Sequence, residues 1–73
     1  MNDPFTVADA RALASWHGQE ALRLEHAAAI AGALDRTTAQ QKRDAAAWHR
    51  TIADKLEAHA TDMEQLATML GGV

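Results

Sequence analysis

The sequence contains no cysteine and no tyrosine, and only one proline, one phenylalanine and two tryptophans among 73 residues. Without thiols there is neither a disulfide framework nor a thiolate metal site. One proline and four glycines supply too few turns for a β-sandwich and too little glycine for a collagen-like rod. No apolar run approaches the ~20 residues needed to span a bilayer, so no membrane contact is expected. Met1-Asn2-Asp3-Pro4 lacks the basic-then-apolar layout of a signal peptide, so a cytoplasmic location is expected. A net charge of −3 gives no electrostatic reason to expect a nucleic-acid partner, and none is expected. No glycine-rich phosphate loop, activated nucleophile or carboxylate pair is visible, so neither enzyme activity nor a catalytic residue is expected.

What the chain does have is alanine, 18 of 73 residues. With 48% hydrophobic and 23% charged residues, the composition is that of a folded domain. The pattern predicts a single all-α domain over residues 1–73, an antiparallel αα-hairpin. Helix 1 is expected over about 5–34, a turn over 35–38, and helix 2 over about 39–70. Asp3 before Pro4, or Thr6 with Asp9, would cap the first helix, and Thr38 with Gln41 the second. Two rods joined by so short a turn must run antiparallel.

Heptad steps of three and four run through both helices. Ala10, Leu13, His17, Glu20, Leu24, Ala27, Ala31 and Leu34 mark the seam of helix 1. Ala45, His49, Ile52, Leu56, His59, Met63, Leu66 and Leu70 mark that of helix 2. Within the helices proper the next position round, e, is alanine at 14, 21 and 28, then at 39, 46, 53, 60 and 67. With one alanine in four, eight such hits occur by chance about once in 10⁵, so the stripe has a structural cause. The opposite flank carries Trp16, Arg23, Ile30, Trp48, Lys55 and Met69. A stripe this wide exceeds a two-stranded coiled coil. It suits a homodimer of hairpins forming a four-helix bundle with close alanine-lined contacts. Such a small domain without staples is also expected to oligomerise.

Residues 14–25 match residues 46–57 at six of twelve positions, including Trp16-His17 and Trp48-His49. This reads as shared heptad grammar or as an internal duplication. Trp16-His17-Gly18 also carries the Trp-x-Gly pattern of small secreted helical-hairpin proteins. There the pattern sits in the turn, whereas here it falls mid-helix, so no family is assigned from it.

The functional expectation is a small non-enzymatic interaction or regulatory protein, homodimeric, with a protein partner and no cofactor. The alternative is a metal-binding bundle holding a divalent transition ion through His17, Glu20, His49 and His59, since imidazole and carboxylate on facing helices suit such ions. With the turn at 35–38, His49 is expected level with Leu24 and His59 level with Ala14. A third reading is an inhibitor or adaptor of a nucleic-acid machine, of the kind mobile elements encode. Arg36, Arg43 and Arg50 lie seven apart, continued by Glu57 and Glu64. They are expected to form a partner-binding stripe, or to meet the opposite charge of another subunit.

Overall fold

A computed structural model describes residues 5–71, which form two helices: α1 (Val7–Ala31) and α2 (Arg36–Gly71). They pack side by side as an all-α helical hairpin. Thr6 opens α1 with a capping box: its hydroxyl accepts from the Asp9 N–H at 3.1 Å, and the Asp9 carboxylate accepts from the Thr6 N–H at 3.0 Å. Of the two caps expected for this helix, Thr6–Asp9 is therefore formed. Asp3 and Pro4 lie outside the described residues.

The turn falls earlier than the sequence pattern suggests. Helix α1 ends at Ala31, and the Gly32 N–H still reaches the Ala28 carbonyl at 2.8 Å. Asp35, not Thr38, takes the capping position of α2. Its Oδ1 accepts from the backbone N–H groups of Thr37 and Thr38, at 3.0 and 3.2 Å. Thr38 gives its hydroxyl to Asp35 Oδ2 at 2.7 Å, so it completes the cap instead of providing it. Aspartate and threonine are both good N-caps, and an alanine-rich chain offers little to choose between them. In an antiparallel pair, moving both ends of the turn toward the N-terminus changes the facing residues by the sum of the two displacements. The expected level of His49 with Leu24 is thereby replaced by His49 with His17.

The helices meet along the alanine stripe. The fully buried side chains among the described residues are Ala10, Ala14, Ala21 and Ala28 on α1, with Ala39, Ala46 and Ala60 on α2. Ala53 is half-buried and Ala67 exposed. Helix α2 has 36 residues against 25 in α1, so its last three turns outrun α1 and Ala67 is left exposed among the described residues. Each buried methyl is worth ~0.8 kcal/mol, whereas a buried leucine or phenylalanine is worth ~1.5–3 kcal/mol. None of the larger apolar groups is buried so well. Trp16 is 52% exposed, Trp48 58% and Ile30 74%. The hairpin is a plate of 59 × 25 × 13 Å, the thickness of a single helix layer.

Close approach at the stripe leaves no room for longer side chains. Ala60→Leu is expected to cost ~1–3 kcal/mol by overpacking. Ala67→Leu, in the overhang, should be close to neutral, because leucine is itself a good helix former. Urea unfolding of both variants measures the contrast, and equal midpoints would contradict the contact assignment.

Candidate functional site

The centre of the plate is a four-ring cluster built from the two Trp-His dipeptides. His17 and His49 occupy equivalent seam positions, and antiparallel packing brings them face to face. Their Nδ1 atoms are 2.8 Å apart and their ring centres 5.0 Å apart, in a half-buried setting. One Nδ1 carries the proton and donates, and the other accepts. Trp16 stands edge-on to His17 at 4.9 Å and to His49 at 5.8 Å. Trp48 mirrors it, at 5.0 Å from His49 and 5.9 Å from His17. Edge-to-face contacts of this kind favour defined ring orientations. The repeated dipeptide therefore has a structural counterpart: an approximate local two-fold relation between the helices, centred on the histidine pair.

The four expected metal ligands do not converge. Glu20 turns its carboxylate to Arg23, which donates through Nε at 3.1 Å and Nη2 at 2.9 Å. His59 is exposed and lies parallel to Phe5 at 6.4 Å. Among the described residues no three histidine, aspartate or glutamate side chains are grouped to hold a metal ion. His17 and His49 alone are brought together. Glu20 still feels them: its pKa is lowered first by the Arg23 hydrogen bond, with the Arg23, His49 and His17 charges adding to that effect.

The charged stripe is matched within the chain. Arg50 donates to both oxygens of Glu25, through Nε at 2.9 Å and through Nη2. Arg11 reaches Glu57 at 2.6 Å and also pairs with Glu64. The basic half of α2 thus faces the acid of α1, and its acidic half faces Arg11. These ion pairs close the flank of the alanine seam opposite the aromatic cluster. Arg50 is committed to this role, whereas Arg36 and Arg43 stay exposed near the turn, Arg43 donating to Gln40 at 3.3 Å. Arg11 and Glu25 escaped the sequence reading. Their signal was present, since they stand seven either side of Gly18 with charges in the reverse order to the α2 stripe.

Compared with family models, curated proteins and solved structures, the chain matches none. No helix among the described residues is long and apolar enough to cross a membrane. The class defined by the fold is therefore a two-helix, alanine-seamed hairpin with an aromatic-histidine centre.

The paired and capping carboxylates give the hairpin a modest acid response. Arg50 lowers the pKa of Glu25, Thr6 that of Asp9, and Thr38 that of Asp35, each mainly through hydrogen bonds to the ionised form. A lowered folded-state pKa means that the unfolded chain binds protons more readily. The stabilisation is complete above the ordinary values of 4.5 for glutamate and 3.8 for aspartate. It is lost as pH falls below those values through the folded-state ones. The urea midpoint should therefore drop between pH 5 and pH 3, and the drop should be smaller in Glu25→Gln. An unchanged midpoint over that range would contradict the pairing.

Proposed function

We propose that this chain is a non-enzymatic helical interaction protein that works as a homodimer and binds a protein partner. Two hairpins lay their tryptophan-bearing faces together as a four-helix bundle. One observation carries the reading: among the described residues every fully buried side chain is an alanine, while Trp16, Trp48, Leu13 and Ile30 are exposed along the flank away from the ion pairs. A stable domain needs two layers around its apolar groups, and this plate is one layer thick. A face of 59 × 25 Å also exceeds the ~800 Å² per partner of a standard stable interface.

A second copy suits the face better than an unrelated helix. A symmetric dimer sets the same face of both copies together, and the local two-fold relation gives that face a Trp-His dipeptide from each helix at its centre. Leu34 at the turn and Leu66 in the α2 overhang lie equally far along the chain from His17 and His49. An antiparallel second copy would therefore lay its turn over the overhang, where Leu66, Met69 and Leu70 are exposed. For the protein partner, exposed Arg36 and Arg43 at the turn suit an acidic surface. A cytoplasmic setting agrees with a chain that has no cysteine to oxidise.

Unfolding coupled to dissociation depends on concentration. The urea midpoint should rise between 1 and 100 μM chain. Ile30→Lys and Leu66→Lys should each lower it, by ~1–3 kcal/mol through burial of an unpaired ammonium. In a lone hairpin both positions are solvated and lysine would be harmless. A concentration-independent midpoint with two neutral lysine variants would overturn the reading.

A further inference from the structure

The facing imidazoles point to a function beyond packing. We propose that His17 Nδ1 and His49 Nδ1 together bind one divalent transition ion of the zinc class, clamping α1 to α2. The two nitrogens already face a common point, where a single proton now holds them 2.8 Å apart. A tetrahedral zinc ion with bonds of 2.0–2.1 Å sets its ligand nitrogens about 3.3 Å apart. Replacing the shared proton by the ion therefore opens the pair by about half an ångström, which small side-chain rotations supply. The proton that stood on one Nδ1 moves through solvent to Nε2 of the same ring, so both rings stay neutral and offer their Nδ1 lone pairs to the ion.

The surroundings favour such an exchange. Trp16 and Trp48 press edge-on against both imidazoles and hold their planes. Within one hairpin the pair is only half-buried, which leaves room on the ion's open side for water as the remaining ligands. Imidazole nitrogen selects zinc, copper or nickel and leaves calcium and magnesium to oxygen donors. Both ligands belong to one chain, so the site does not rest on dimerisation.

The test uses the full chain without a histidine tag, titrated with zinc chloride at pH 7.5 by calorimetry and followed in parallel by thermal melting. One ion per chain is expected. A rise of several degrees in Tm at excess zinc should accompany it, because the ion joins two helices only in the folded state. Calcium should do nothing. His17→Gln and His49→Gln should each weaken zinc binding at least tenfold and remove the rise in Tm. His26→Gln and His59→Gln should leave both unchanged. Nitrogen-15 chemical shifts of the imidazoles in the unsubstituted chain give a readout that needs no variant: Nδ1 of His17 and His49 should shift on zinc addition. Zinc binding of equal strength in the His17 and His49 variants, shifts confined to His26 or His59, or no rise in Tm would overturn the proposal.

Discussion

Helix separation is the constraint on which everything else depends. Alanine at every seventh residue lets α1 and α2 approach until their methyl groups bury one another, and among the described residues the seven fully buried side chains are those of Ala10 and six alanines of that stripe. At so short a distance no large group fits between the helices. The tryptophans, leucines and isoleucines are squeezed out to one flank, and long charged side chains are left to bridge the other. The flat shape, the open apolar face and the aligned ion pairs all follow from that contact. Alanine is also the best helix former, so the residue that permits close approach stabilises each rod before they meet.

The two flanks of the seam do different work. On one, Arg11 meets Glu57 and Glu64 while Glu25 meets Arg50. All these side chains are substantially exposed, so the pairs add little to stability in water. Their effect on register is one-sided: a heptad slide that set Glu25 against Glu57 would oppose like charges, whereas the reverse slide would bring Arg43 to Glu25 and leave Arg11 on Glu57. On the other flank, the register brings the repeated Trp-His dipeptides together, and the apolar groups beside them stay exposed among the described residues. A hairpin that buries only methyl groups internally carries its main hydrophobic resource on its surface.

Much of this was legible in the sequence because helix periodicity is a strong signal over 25 and 36 residues. The alanine stripe, the two helices and the seam positions of His17 and His49 all follow from spacing. The position of the turn does not. Asp35 and Thr38 are both competent caps, and the choice between them was settled by their own hydrogen bond and by the end of α1 at Ala31. That local ambiguity propagated into the site, since it moved His49 from the level of Leu24 to that of His17. Glu20 and His59 shared the seam pattern but not the cluster, because Arg23 on the same helix and Phe5 near the chain start engage them instead. Periodicity reports a face. It does not report which neighbour a polar side chain chooses.

The account turns on the open face being covered by a second copy of the chain. Sedimentation equilibrium of the full chain at micromolar concentration measures this directly, against a chain mass of 7.9 kDa. The account predicts a particle of twice that mass, with tryptophan emission shifted to the blue as Trp16 and Trp48 leave water. A folded, helical particle of single-chain mass with solvent-exposed tryptophan emission would contradict it.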